Sequence, residues 1–161
     1  MRDQRLFSRR LALLGVAAML AAPPALAEGP IDVGEPPAGK ALIVFFRRWG
    51  WGGGAVPFMV REGESDVGAL ANANYFVIVA DPGWHTYWVR SEKKVPMNIE
   101  LEADETYYVQ CEMGTGWLLY QPMLMPSEQR VFDELSATLH RSKASNTAST
   151  GDGTKPPASP R

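Results

Sequence analysis

Between Lys40 and Met125 apolar side chains tend to recur at every second residue rather than every third or fourth, the period of a strand with one face inward and one outward. Lys40 to Arg48 is a run of β-branched, aromatic and aliphatic residues ending in a Trp and Gly loop, and it predicts a buried strand. Pro57 to Glu62 and Val67 to Leu70 predict two short strands around the turn Gly63-Glu64-Ser65-Asp66. Tyr75 to Ala80 is a second buried run. It stops at Asp81-Pro82-Gly83, where Pro presets the first turn dihedral and Gly accepts a positive one. Trp84 to Ser91 follows, then Val95 to Glu102 with alternate residues apolar, then Thr106 to Met113, the turn Gly114-Thr115-Gly116, and Trp117 to Met125. Short strands with polar turns at this spacing indicate a mainly β fold, an antiparallel β-sandwich of about seven or eight strands.

The period changes once. Val131, Phe132, Leu135 and Leu139 form a single stripe at helical spacing, and Pro126-Ser127-Glu128 ahead of them offers a cap and an acidic first turn. A helix is expected over 127–141, closing an open end or edge of the sandwich, with a partner-docking helix as the alternative. Residues 28–39 are rich in Pro and Gly and read as an extended lead-in. Residues 142–161 are mostly Ser, Thr, Ala, Gly, Lys and Pro without apolar period, and read as a disordered tail. The domain is thus placed at 40–141, with no internal repeat.

The first residues follow a different rule. Arg2, Arg5, Arg9 and Arg10 precede an apolar run from Leu11 to Ala22, and Pro23-Pro24-Ala25-Leu26-Ala27 follows it. This is the plan of a signal peptide over 1–27, with Ala25 and Ala27 as the small residues before the cut and Glu28 as the first residue after it. A retained anchor would need about 20 apolar residues, and the Pro pair breaks the run before that. Ordinary unfolded secretion is the expected route. Ser8-Arg9-Arg10-Leu11-Ala12-Leu13 partly resembles a twin-arginine signal, the alternative route, with Ala12 where Phe is usual. Glu28 stands where a lipoprotein needs Cys, so no lipid anchor is expected. The location implied is the periplasm or the extracellular space.

Charge and cysteine content narrow the partners. The net charge is -2, and because the leader holds four Arg and one Asp, the remainder is near -5. Nucleic acid, which wants a basic face, is not an expected partner. The single cysteine, Cys111, allows no intramolecular disulfide. In Tyr107-x-Val109-x-Cys111-x-Met113 it falls on the apolar face of a strand, and it is read as core rather than as a nucleophile.

Few residues could carry chemistry. His85 lies close to Asp81 across a turn, an arrangement that could orient an imidazole, but no Gly-x-Ser-x-Gly elbow accompanies it. The pair is read as a turn contact. His140 falls near the end of the expected helix as a solvated cap. Glu100, Glu102, Asp104 and Glu105 gather oxygen ligands without the spacing of a calcium loop. Met97, Met113, Met123 and Met125 could offer sulfur to cuprous copper, though Met on strands is usually core. No metal and no cofactor is expected. The odd feature is Trp49-Gly50-Trp51-Gly52-Gly53-Gly54, bordered by Arg47 and Arg48. It lacks the Gly-Lys-Ser/Thr ending of a phosphate loop. Two large aromatics amid so much Gly either cap the end of the sandwich or stand out as an anchor for protein or sugar.

Three patches carry a resemblance. They are Gly39-Lys40-Ala41 opening a strand that ends in Arg47, Tyr75-Phe76 followed by Pro82-Gly83-x-His85-Thr86, and Leu101-x-Ala103-x-x-Thr106-Tyr107-Tyr108-Val109. Together they resemble a family of exported prokaryotic proteins catalogued as domain of unknown function 2846, over Gly39 to about Met125. The second patch is also similar to the strand entry of PEGA-type and other small envelope modules. The resemblance implies an immunoglobulin-like or transthyretin-like sandwich in the cell envelope, with no assigned activity and no catalytic residues. Members are often lipoproteins, so Glu28 after the cut is a departure, as is the Trp and Gly loop.

The function expected from these readings is a noncatalytic envelope module that binds a protein or glycan through Trp49, Trp51, Arg47 and Arg48. Two other classes stay open: a small hydrolase using His85 and Asp81, and a structural subunit that adds an edge strand to a neighbour. The oligomeric state is left undetermined.

Overall fold

The computed structural model describes residues 30–50, 56–114 and 121–145. The leader with its cut at Ala25, Ala27 and Glu28, the residue Trp51, the start of the last expected strand at Trp117, and positions 146–161 lie outside the described residues.

Eight strands fall close to the expected places: β1 (Ala41–Arg47), β2 (Phe58–Glu62), β3 (Ser65–Leu70), β4 (Asn74–Ala80), β5 (Gly83–Val89), β6 (Met97–Leu101), β7 (Thr106–Gly114) and β8 (Gln121–Ser127). They build a mainly β sandwich with a five-stranded sheet, β8-β7-β1-β4-β9, and a four-stranded sheet, β3-β2-β5-β6. The ninth strand, β9 (His140–Arg141), is too short for any period to announce it. The alternation seen in the sequence sorts the side chains. Ile43, Phe45, Phe76, Ile78, Val60, Tyr87, Val89, Val109 and Leu124 meet between the sheets.

One sheet departs from the all-antiparallel expectation. β1 runs parallel to β7, and β4 runs parallel to β9. The cause lies in the connections: β6 and β7 belong to different sheets, so β7 reaches β1 by crossing over and not by a hairpin, and nothing obliges the pair to alternate direction.

The helix is shorter than expected. Instead of 127–141, α1 covers Gln129–Leu135, a 3-10 turn covers Ser136–Thr138, and β9 follows. Ser127 is still in β8, paired with Tyr108, so it cannot cap. Glu128 takes the cap position in extended conformation and makes no side-chain cap hydrogen bond. At the far end strand pairing takes over, with His140 N–H donating to Ala73 O and Ser142 N–H to Tyr75 O. The stripe does not close an end or edge. It lies on the outer face of the five-stranded sheet, where Phe132 and Leu139 join Val44, Phe46, Tyr75 and Tyr108 in a second apolar cluster. Ile31 and Val33 of the lead-in pack against the same cluster. Tyr107 and Tyr108 serve opposite faces, as adjacent strand residues must.

The expected tail is also corrected at its root. Residues 142–145 cross from β9 to the edge of the other sheet, where Ser145 N–H donates to Val67 O at 2.8 Å and Ala144 bridges Gly68. This strap covers the β3 edge, which would otherwise offer unpaired backbone groups.

Candidate functional site

The two ends of the sandwich carry different polar groups. In the β1–β4 pairing, Arg47 stands opposite Asn74 and Ala41 opposite Ala80. The Trp49 loop therefore leaves one end, and Asp81 with His85 lies at the other.

At the first end the sequence reading grouped Arg47, Arg48, Trp49 and Trp51. The structure separates the first two. Odd-numbered residues of β1 point between the sheets, so Arg47 turns inward and is only 3% exposed, while Arg48 turns out. The Arg47 guanidinium sits 4.0 Å over the Phe58 ring, and its Nη1 donates to Val56 O at 3.1 Å and Leu70 O at 3.4 Å. Burial lowers its pKa, with Cys111 opposing that in part. Arg47 thus braces the base of the loop from inside and is not part of a binding surface. Trp49 is 54% exposed. Next to it, Gly50 N–H donates to Asn72 Oδ1 at 2.9 Å, and Asn72 Nδ2 donates to Gly50 O at 3.1 Å. That two-point clamp fixes the start of the loop. Asn72 was missed in the sequence because it lies 22 positions away, in the turn between β3 and β4.

At the second end His85 is 2% exposed. Its Nδ1 lies 2.6 Å from Glu62 Oε1, and its Nε2 lies 2.8 Å from the backbone oxygen of Asp81. The Tyr87 hydroxyl lies 3.2 Å from Nδ1, and the two rings are nearly parallel at 5.8 Å. The expected contact with Asp81 is present through its carbonyl. The Asp81 carboxylate instead pairs with Lys40, so the acid partner of the imidazole is Glu62. Burial works to lower the His85 pKa, but the hydrogen bonds to Glu62 and Asp81, with the charges of both, outweigh it and hold it above the ordinary value. Both ring nitrogens are engaged, so this cluster is built to bind an imidazole in place. Glu62 had a signal: Phe58, Val60 and Glu62 share the inward face of β2, and a carboxylate at an inward position requires a partner.

The remaining candidates are dispersed. Cys111 is 2% exposed, and burial, first, then Glu112 against the pull of Arg47, pushes its thiol up to about 12. Such a thiol is core material. His140 is exposed on β9 and not on the helix. Asp104 takes a positive φ and accepts from Gly39 N–H at 2.7 Å, tying the lead-in to the turn before β7. Among the described residues no three His, Cys, Asp or Glu side chains converge as metal ligands. Met97 and Met113 face the inner core, while Met123 and Met125 alternate with inward Leu124 and face outward. The four sulfurs therefore do not share a face. A shallow depression of about 420 Å³ between Val77 and Arg141–Ala144 contains none of the candidates.

Comparison with known proteins finds no matching family, no matching curated protein and no matching solved structure.

Proposed function

We propose that the protein is a noncatalytic module of the cell envelope, exported to the periplasm, that binds a protein or glycan partner through the end of the sandwich where Trp49 emerges. The observation that carries this reading is an indole 54% exposed on a loop whose base is held by Asn72 and by Arg47 from within. An aromatic presented on a fixed base loses little entropy on binding, which is why such residues serve as anchors. Arg48, also exposed, flanks it. The signal peptide over 1–27 and the resemblance to domain of unknown function 2846 belong to the same proposal.

The test uses partner recovered from envelope extract and then titrated directly against the purified protein. Replacing Trp49 and Trp51 by Ala should abolish binding while changing stability by no more than about 0.5 kcal/mol. Retained binding with a large loss of stability assigns the loop to packing and overturns the proposal.

A further inference from the structure

The sheet edges are finished differently. β8 carries Pro122 and Pro126, β6 follows Pro96 and carries exposed Glu100, and β3 is covered by the strap 142–145. Proline, charge and cover are ordinary means of keeping an edge from pairing. β4 has none of them over its second half. β9 pairs only with Asn74 and Tyr75, and Ser142 then leads the chain away to the other sheet. The oxygens of Ala73 and Tyr75 accept from His140 and Ser142 on this side. Direction alternates along a strand, so Val77 and Val79 also turn N–H and C=O to the edge, while Phe76, Ile78 and Ala80 turn theirs to β1. Among the described residues no strand pairs with Val77 or Val79 there. Val79 is also 38% exposed.

Where the strap leaves this edge, a depression of about 420 Å³ is lined by Val77, Arg141, Ser142, Lys143 and Ala144. Arg141 and Lys143 are exposed, and among the described residues neither meets a carboxylate. Open backbone groups thus adjoin two cations. We propose that residues 77–80 take an extended C-terminal segment of a partner protein as an added antiparallel strand, with its terminal carboxylate held by Arg141 and Lys143. Charge fixes the direction. An antiparallel strand ends beside Val77, at the depression, whereas a parallel one would bring its α-ammonium group to the same two cations. A second copy of β4 fits less well, because the Asp81 that follows Ala80 would arrive there already paired with Lys40.

Strand addition draws affinity from main-chain bonds and selectivity from alternate side chains. With the terminal residue opposite Val77, the third from the end lies opposite Val79, and both turn to the outer face, as Val77 and Val79 do. Apolar side chains are therefore expected at the last and third-last positions. The contact is short, about 13 Å for residues 77–80 at ~3.3 Å each. The association is weak as a result, with a dissociation constant on the order of 100 μM.

Fluorescence anisotropy tests this on protein purified after expression of the full chain, with the N-terminally labelled peptide Gly-Ser-Thr-Val-Thr-Val bearing a free carboxylate. Saturable binding is expected. It should weaken about tenfold when the peptide ends in an amide, and about as much when Arg141→Glu and Lys143→Glu are combined. Val79→Pro should abolish it. The N–H lost there points to the edge, where proline is tolerated, and circular dichroism checks the fold. No saturation up to about 1 mM peptide, or equal binding of acid and amide, overturns the inference. So does a dimer in sedimentation equilibrium that Val79→Pro dissociates, because the occupant is then a second copy. The Trp49 loop leaves at the Asn74 end of β4, away from residues 77–80. Trp49→Ala with Trp51→Ala should therefore leave peptide binding unchanged, and failure here leaves the proposed function standing.

Discussion

A β-carbon added to Gly68 would lie 2.7 Å from the ring of Phe76. That ring is fully buried and stacked on Phe45 at 5.1 Å, so it cannot swing away. Gly68→Ala should therefore destabilise the protein by about 1–3 kcal/mol, read by urea denaturation. The sign is informative, since a Gly to Ala change without such a clash usually stabilises. His85 makes the second prediction at this scale. Its folded pKa is raised above the unfolded value near 6.5, so the folded state binds the proton more tightly. The stability this contributes is fully present below about pH 6.5 and is lost as pH rises through the folded pKa. Glu62→Gln keeps the shape and removes the charge. It should lower the His85 pKa, seen by NMR titration of the imidazole, and flatten the pH dependence of unfolding. That His85 needed a partner was legible in the sequence, because the strand period turns it inward with Tyr87. Which carboxylate answers it was not, because Glu62 lies 23 residues away and is brought close only by the β2–β5 pairing.

Helix α1 is seven residues long, below the length at which a helix holds itself in water. Its stability comes from one anchor. Phe132 is fully buried, with its ring 5.4 Å from Phe46, 5.4 Å from Tyr75 and 5.5 Å from Tyr108. Phe132→Ala should cost about 3–5 kcal/mol in thermal or denaturant unfolding. It should also raise binding of a hydrophobic dye, because the sheet face under the helix is apolar. The stripe of Val131, Phe132, Leu135 and Leu139 was readable as helical spacing. Its end was not, because the helix stops where backbone groups of Ala73 and Tyr75 offer strand pairing to His140 and Ser142. Leu139 keeps its place in the apolar cluster from outside the helix, so an unbroken stripe is served by two kinds of backbone.

For the whole molecule, the order of strands decides which end holds which group. Neighbours in sequence often join by hairpins, as β2 with β3, β5 with β6 and β7 with β8 do. The contacts that place β1 between β7 and β4 are long-range, and they separate the Trp49 end from the His85 end. The strap 142–145 shows the same limit: its composition is that of a tail, yet Ser142 Oγ reaches Ala69 O at 3.2 Å and Ser145 reaches Val67 O, because an adjacent sheet edge had acceptors to satisfy. The period of two by itself determined where the strands from β1 to β7 would fall and, outside the bulge that pairs Val60 with Gly68 and Arg61 with Asp66, which side chains of each strand would share a face, since alternation is a property of the extended backbone alone. Only the tertiary structure decided that β1 lies parallel to β7, and that Glu62 rather than the Asp81 carboxylate meets His85. Those outcomes depend on which strands become neighbours, and that is chosen by burial summed over the entire chain.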